Sequence, residues 1–399
     1  AEGWSPSRVA WESRKAGLYA AGLCDFDVLD GAEEFMEGGH LLGLRATVNL
    51  ETRVYLEPYA DAEISSPGEP GVTYIMGAGF AREPSARSPQ GTALDGYRQR
   101  ARERNEALIG RINPHLPDIA VDYRADVLPL TPAGAATERH IISAYLNKAR
   151  SVFEHASGTA EFWARVLERD IDEVVVLLAD RPALEEAVRA RLAKRGGIGY
   201  RQPSVDTFPP AGEFVRWVLS CGAIPMMTWL DGTSKGERDA RALLECMTGM
   251  GVAAVNIIPD RNWNIRDPES RCVKIRNLGD MVAAAEGMGL PLNVGTEMNK
   301  DGLPFVDDLA GEVLRPHREA FLRGARVMVG HTVLLRYADY SYTGEGAAAD
   351  FPDPARRTAF FERVGSLPPL RVEQAAELEA AGPVKALERL RQAAADLRN

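Results

Sequence analysis

Cysteine is scarce in this chain of 399 residues, and its spacing excludes two classes of site. The four cysteines, Cys24, Cys221, Cys246 and Cys272, lie far apart and form no C-x-x-C pair. The sequence therefore indicates neither a zinc knuckle nor a disulfide scaffold. We expect the protein to work in a reducing compartment, the cytoplasm.

Long apolar runs and a surplus of positive charge are missing as well. No segment approaches the length of a membrane span, and residues 1–6 do not combine the basic and apolar regions of a signal peptide. A net charge of −10 and a pI near 5.3 argue against a protein that mainly grips nucleic acid, so we expect a small-molecule substrate. With 45% hydrophobic residues, the chain can bury the core of one large α/β domain with an appendage.

Short apolar segments alternate with amphipathic ones in the first half of the chain. Ser5 and Pro6 fit the N-cap and first turn of a helix that we expect to reach about residue 21. The periodicity predicts helices at 31–42, 98–112 and 140–149, and strands at 23–27, 44–56, 72–77 and 173–179. The last of these strands lies among helical spacings.

The second half has a more regular alternation. It predicts helices at 238–249 and 278–288, and strands at 223–230, 253–258, 290–295 and 326–331. Because strands and helices alternate, we expect parallel strands joined by right-handed crossovers. Beyond residue 353, segments rich in Ala, Leu and Arg predict a helical tail that packs on the sheet domain or binds a partner.

Polar side chains follow the apolar part of two predicted strands. Glu297 and Asn299 come directly after the strand at 290–295, and Glu51 follows the apolar start of the strand at 44–56. An α/β barrel directs side chains at such positions into its mouth. The sequence therefore predicts a site at one rim of the sheet.

Six segments resemble, in order, motifs of the polymerase and histidinol phosphatase (PHP) superfamily. CDFDVLDG at 24–31, NLE at 49–51 and YIMG at 74–77 resemble the family's TDHDTxxG, GxE and HILG. Further along, ERHI, GAIPMMTW and GTEMN resemble RPHI, GGxPxxAH and GSDxH. The resemblance implies a distorted TIM-like (β/α)7 barrel at 1–345, followed by a helical tail at 346–399. It also implies hydrolysis of phosphoesters with divalent metals held by histidines and carboxylates.

Most of the family's metal-binding histidines are replaced in this chain. Phe26, Tyr74, Trp229 and Asn299 stand where the family has histidine, and the opening H-x-H strand is not found. That strand would lie just upstream of Ala1, and the sequence does not begin with Met. The resemblance therefore implies a divergent member, with a metal site that is either rebuilt from oxygen ligands or lost.

The candidate metal ligands are the carboxylates, the histidine and the amide that match the family or follow a strand: Asp25, Asp27, Glu51, His140, Glu297 and Asn299. Such a set suits Mg²⁺ or Mn²⁺ better than Zn²⁺. Asp25 and Asp27 could equally serve as turn or cap residues. Glu51, within an apolar strand, needs a partner such as Arg53, Arg139 or a metal.

Catalytic and substrate-binding roles are predicted for a further group of residues. We expect His140, Glu51 and Asp231 to act in acid or base catalysis, and Arg139, Asn262, Lys235 and His331 to contact the substrate. Each has a structural alternative. Asp231 before a glycine is typical of a turn, His140 could cap or pack a helix, and an isolated lysine is usually solvated.

Three functions remain open on the sequence alone. The first is a metal-dependent phosphoester hydrolase. The second is a metal-independent barrel enzyme that acts on a carbohydrate-like metabolite through carboxylate acid/base catalysis. The third is a binding protein that kept the scaffold after losing its ligands. Because Asp25, Glu51 and His140 match the family, we place the hydrolase first.

Overall fold

The computed structural model describes residues 3–131, 134–153, 155–296 and 305–397. Within these ranges the chain forms two compact units. The first contains the described residues of 1–67, 71–93 and 209–399, and the second contains those of 68–70 and 94–208. Among the helices of the described ranges, none has the apolar length that a bilayer crossing requires. The division of the chain at residue 345 stays a prediction.

A curled sheet of six strands forms the centre of the first unit. The strands are β1 (Ala20–Phe26), β2 (Arg45–Tyr55), β3 (Val72–Ala78), β4 (Ile224–Trp229), β5 (Ala254–Ile257) and β6 (Leu292–Val294), and they lie side by side in chain order. β1 and β2 are parallel, as are β4, β5 and β6, which confirms the parallel strands predicted for the second half. β3 is antiparallel to both of its neighbours.

The direction of β3 follows from the connection that precedes it. A parallel crossover takes a dozen or more residues and usually contains a helix that packs on the sheet. Residues 56–71 contain only a short 3-10 helix, Glu57–Tyr59, so the chain returns beside β2 in the opposite direction. The structure is thus a mixed α/β half-barrel. The described residues show no pairing between β6 and β1, so the full seven-stranded barrel is not observed.

Helices make up most of the remaining described residues. In chain order they are α1 (Pro6–Lys15), α2 (Ala32–Leu42), α3 (Pro89–Ile112), α4 (Glu138–Val152), α5 (Ala156–Leu167), α6 (Ile171–Ala179), α7 (Arg181–Leu192), α8 (Ala211–Ser220), α9 (Ala240–Gly249), α10 (Asp260–Trp263), α11 (Pro268–Gly287), α12 (Arg318–Ala338), α13 (Glu345–Asp350), α14 (Pro354–Ser366), α15 (Val372–Ala381) and α16 (Pro383–Asp396). Ser5 caps α1 by accepting the Arg8 N–H, as predicted, but the helix ends at Lys15 rather than near residue 21.

The predicted strand at 326–331 is wrong, because these residues lie inside α12. The apolar run is buried all round, since α12 contacts β6 on one side and α14 on another. Two glycines permit this close approach. A Cβ on Gly324 would lie 1.6 Å from the Leu292 carbonyl oxygen, and one on Gly330 would lie 2.0 Å from that of Phe361. An apolar run of this kind does not distinguish a buried helix from a strand.

The second unit is helical, and the predicted strand at 173–179 is wrong because it forms α6. Asp170 caps this helix by accepting the Asp172 N–H at 2.8 Å, and two acidic residues in the first turn suit the helix dipole. The three consecutive valines favour a strand locally, yet only Val174 of them is buried. The cap and the helical neighbours therefore outweigh β propensity.

The two faces of the sheet have different surroundings. Because side chains alternate along a strand, Glu51, Arg53, Tyr74 and Met76 lie on one face, which we call the Glu51 face. On this face, residues towards the amino ends of the parallel strands belong to one buried apolar cluster with α12: Met76, Ala78, Ile224, Met226 and Ala254. The other face, called the Leu50 face, carries Leu50 and Thr52.

Candidate functional site

The carboxyl ends of the five parallel strands meet at one edge of the sheet. β3 contributes to the same edge from its beginning, since Val72 pairs with Tyr55 at the end of β2. Towards this edge the Glu51 face changes from apolar to polar. The rim predicted from the strand ends is therefore present as a feature of the sheet, with α12 beneath it.

Five polar side chains lie in register across this part of the Glu51 face. Arg53 pairs with Tyr74, Thr228 pairs with Asn256, and Asn256 pairs with Asn293. Ile75 pairs with Met227 in the antiparallel β3–β4 register, so Tyr74, one residue earlier, lies beside Thr228, one residue later. We call these five residues the polar row. It crosses β2 to β6 and is our candidate substrate site.

Much of the polar row is buried. Thr228 is 1% exposed, Asn256 3% and Arg53 8%, whereas Tyr74 and Asn293 are half-buried. Asn293 Nδ2 donates a hydrogen bond to Asn256 Oδ1 at 2.8 Å. A Cβ on Gly295 would lie 2.7 Å from Asn256 Nδ2, so glycine lets the backbone after β6 pass beside this amide.

Two aromatic rings lie on the Glu51 face near the ends of β1 and β3. Phe26 pairs with Glu51 in the β1–β2 register, and its ring meets Tyr74 edge to face at 6.2 Å between centroids. In the motifs that resemble those of the PHP superfamily, Phe26 and Tyr74 stand for histidines. Neither ring has an imidazole nitrogen that could bind a metal.

The predicted ligands Asp25 and Asp27 are on the opposite side. Asp25 pairs with Leu50, so it lies on the Leu50 face, and burial raises its pKa. Asp27 follows β1 with a left-handed φ of 63°, and its Oδ1 accepts the Thr52 hydroxyl hydrogen at 2.5 Å. Thr52 is on the Leu50 face. Alternation therefore separates Asp25 and Asp27 from Glu51, and the register does not support one ion shared by all three.

Metal binding by the remaining candidates stays a prediction. His140 belongs to the second unit, and Glu297 and Asn299 lie outside the described residues. In the ranges that the structure describes, no three His, Cys, Asp or Glu side chains are grouped to hold a metal ion. The described donors thus do not fit the divalent ion that the family resemblance implies.

Asp231 lies in a tightly bonded loop after β4. Its carboxylate pairs with Lys274 at 2.9 Å and accepts a hydrogen bond from the Thr233 amide, and despite burial these bonds lower its pKa. Glu237, 1% exposed, accepts the N–H groups of Leu230, Asp231 and Gly232 at 2.8, 3.1 and 3.1 Å. Burial outweighs these bonds and raises the pKa of Glu237 to about 7.

Asn262, Lys235 and His331 were predicted to contact the substrate. Asn262 is fully buried and donates to the Leu230 and Ile258 carbonyls, which ties the loops after β4 and β5 together. Lys235 is exposed. His331 is buried in α12, where its Nδ1 accepts the Tyr342 N–H at 3.1 Å and burial lowers its pKa to about 3. These contacts are structural, and a substrate role for any of the three stays a prediction.

Arg139 and His140 open α4 in the second unit. Arg139 pairs with Glu186 at 3.0 Å. His140 Nδ1 accepts the Thr137 N–H at 3.0 Å, which caps the helix, and burial lowers the pKa of the imidazole. The contacts of His140 are thus those of a helix cap, which was one of its structural alternatives. Its catalytic role and the anion contact of Arg139 stay predictions.

Most of the polar row was missed from the sequence. Glu51 drew attention because a carboxylate interrupts an apolar strand, but Thr228, Asn256 and Asn293 are neutral and common in strands or turns. The available signal was their position, since each lies one residue before the end of its strand. Only the register shows that they are neighbours.

No protein-family model and no curated protein sequence matches the chain. A solved structure with a similar fold is an amidohydrolase from Chromobacterium violaceum with bound sulfate and no metal. The TM-score is 0.52 at 14% identity, over 79% of this chain and 90% of that one. A protein described as a candidate metal-dependent phosphoesterase from Bifidobacterium adolescentis has a TM-score of 0.47 at 17% identity, over 79% and 91% of the two chains. The first likeness shows a shared fold.

Proposed function

We propose that the protein is a PHP-like hydrolase that binds a phosphoester along the polar row. The observation that carries this proposal is the convergence of Arg53, Tyr74, Thr228, Asn256 and Asn293 from five strands at the edge where barrel folds place their chemistry. Sulfate, which the amidohydrolase of similar fold binds, is a tetrahedral anion like phosphate, and this supports an anionic substrate.

Arg53 and Glu51 have complementary roles in this proposal. Two residues apart on β2, they lie on the same face, about 7 Å apart along the strand. The Arg53 guanidinium supplies the charge and the paired N–H donors that bind a phosphate. Glu51 accepts a proton from the water that attacks phosphorus, and the bond between phosphorus and the alcohol oxygen breaks. The leaving alkoxide takes a proton from solvent, and Glu51 returns its proton to solvent. Both side chains also interact with other groups of the protein.

No step of the proposed reaction uses a metal ion. The described donors do not fit one, and the roles predicted for Glu297 and Asn299 fall outside the described residues. The degenerate metal site implied by the family resemblance therefore stays a separate proposal. Adding a chelator to the assay tests it directly.

The test is hydrolysis of a panel of phosphomonoesters by the wild type and by Arg53→Gln and Glu51→Gln. We expect each substitution to lower kcat/KM by roughly 100-fold or more, because each removes a charge that acts on the transition state. Glu57→Gln is a matched control, since Glu57 is exposed just beyond β2. Full activity in Arg53→Gln and Glu51→Gln would contradict the proposed roles.

A binding protein on the same scaffold is the second candidate. It is favoured by Phe26 and Tyr74, whose rings lie where the family has catalytic histidines. Calorimetry with the same phosphomonoesters separates the two candidates. Binding without release of phosphate, in the presence and absence of added Mn²⁺, identifies a binding protein.

A further inference from the structure

Within the described residues, three adjacent strands have polar atoms without a protein partner at one end of the polar row. Thr228 Oγ1 is buried and has no hydrogen-bond partner in this part of the chain. In the Asn256–Asn293 pair, one amide hydrogen bond joins the two side chains, and within the described residues neither amide makes another. The pair therefore keeps an N–H donor on Asn256 and a carbonyl acceptor on Asn293.

Unsatisfied polar groups at buried positions are costly. Leaving one buried donor or acceptor without a partner costs about 1–3 kcal/mol, and most buried polar groups in proteins are satisfied. Among the described residues, Thr228 Oγ1 on β4 is such a group. The remaining donor of Asn256 and the remaining acceptor of Asn293 lie on the next two strands, β5 and β6. A hydroxyl group, which donates and accepts, complements the donor of Asn256 and the acceptor of Asn293, and a second hydroxyl suits Thr228.

We propose that Thr228, Asn256 and Asn293 bind hydroxyl groups of the substrate, which is the phosphate ester of a sugar or polyol. This inference rests on the proposed function, because it places the phosphate at Arg53. The three residues carry no charge, so they discriminate by hydrogen bonding rather than by attraction of an ion.

The arrangement of the strands sets the size of the substrate. Arg53 on β2 and Asn256 on β5 are three strands apart, which is about 14 Å in a flat sheet. Curling of the sheet and the reach of the arginine side chain shorten that span. A phosphorylated chain of about six carbons with hydroxyls along its length therefore fits better than a small ester such as glycerol phosphate.

The experiment compares sorbitol 6-phosphate with hexyl phosphate, which has the same carbon chain and phosphate but no hydroxyls. Affinity is measured by calorimetry, so the comparison does not depend on turnover. We expect the wild type to prefer sorbitol 6-phosphate by at least about tenfold, since a site built to hydrogen-bond a hydroxyl rejects an analogue that lacks it. We expect Asn256→Leu and Asn293→Leu each to reduce that preference by roughly tenfold.

Two further variants keep the test decisive. Thr228→Val preserves shape and is available if an Asn→Leu variant fails to fold, and it should reduce the preference in the same direction. Asn147→Leu changes an exposed amide on α4 and should leave the preference intact. Equal affinity of the wild type for the two esters overturns the inference, and so does equal weakening of both in the variants. Hydrolysis of either ester, assayed in parallel, tests the proposed function separately.

Discussion

The two ends of the same sheet edge have different chemistry. The aromatic end, at β1 to β3, has the rings of Phe26 and Tyr74 beside Glu51. The amide end, at β4 to β6, has Thr228, Asn256 and Asn293. At the aromatic end two rings lie beside the charged side chains of β2, whereas the amide end has neutral groups that form hydrogen bonds.

The two ends therefore differ in charge. At the aromatic end, the Glu51 carboxylate and the Arg53 guanidinium of β2 are charged groups on the Glu51 face. At the amide end, the polar side chains are neutral. The loop after β4 supports that end through Glu237, Asn262 and the Asp231–Lys274 pair. If this division is correct, the two ends should respond differently to substitution and to pH.

The largest effect is expected for Glu237, in the loop that supports the amide end, and it concerns the free energy of unfolding. Glu237 has a pKa near 4.5 when unfolded and about 7 when folded, so the protonated form favours the folded state. The free energy of unfolding of the wild type, relative to Glu237→Gln, should therefore fall by about 3 kcal/mol as pH rises from 4.5 to above 7. Urea unfolding at several pH values measures this difference. Glu57→Gln, at an exposed carboxylate, should show no such trend. If the difference in free energy of unfolding between the wild type and Glu237→Gln does not change with pH, the raised pKa of Glu237 is wrong.

The second prediction concerns a double substitution that replaces both rings of the aromatic end by imidazoles. Phe26→His with Tyr74→His places two imidazoles on the face that carries Glu51, so the double variant should bind Co²⁺ at least about tenfold more tightly than the wild type. The visible absorption of bound Co²⁺ gives the measurement. Phe26→Leu with Tyr74→Leu controls for loss of the rings. No gain in Co²⁺ affinity would show that Glu51 and the two positions do not converge.

The smallest effect concerns the ion pair in the loop after β4. Lys274→Met should lower the free energy of unfolding by about 1 kcal/mol, because the pair is only partly buried, with side chains 20% and 13% exposed. Lys235→Met changes an exposed lysine of the same loop and should have no effect. Chemical unfolding at neutral pH distinguishes them. Equal losses in both variants would mean that the loss does not come from the Asp231 pair.

The sequence predicted the sheet better than the direction of its strands. All six strands lie within a few residues of their predicted positions, because apolar runs bounded by glycine and polar residues mark them well. The direction of β3 was missed because alternation looks the same in parallel and antiparallel strands. The connection at 56–71, which has no crossover helix, was the available signal. The errors at α6 and α12 came from apolar runs that are equally compatible with a helix.

The site was predictable only in part, for a related reason. A carboxylate such as Glu51 stands out in an apolar strand because burying it is costly. Asn256 and Asn293 cost less and are common, so their meaning comes from being paired across β5 and β6. Because side chains alternate along a strand, the sequence alone places Asp25 and Phe26 on opposite faces of β1. Asp25 could therefore have been assigned to the face opposite Glu51. Cross-strand register remained outside the reach of the sequence.

The reversed third strand also affects the order in which the sheet can assemble. β2 and β3 are close in sequence and can pair early, whereas the other edge of β3 pairs with residues about 150 positions later, such as Ile75 with Met227. During synthesis that edge has exposed N–H and C=O groups until β4 emerges. Fragments that end before β4 should therefore associate through this strand, and full-length chains should not.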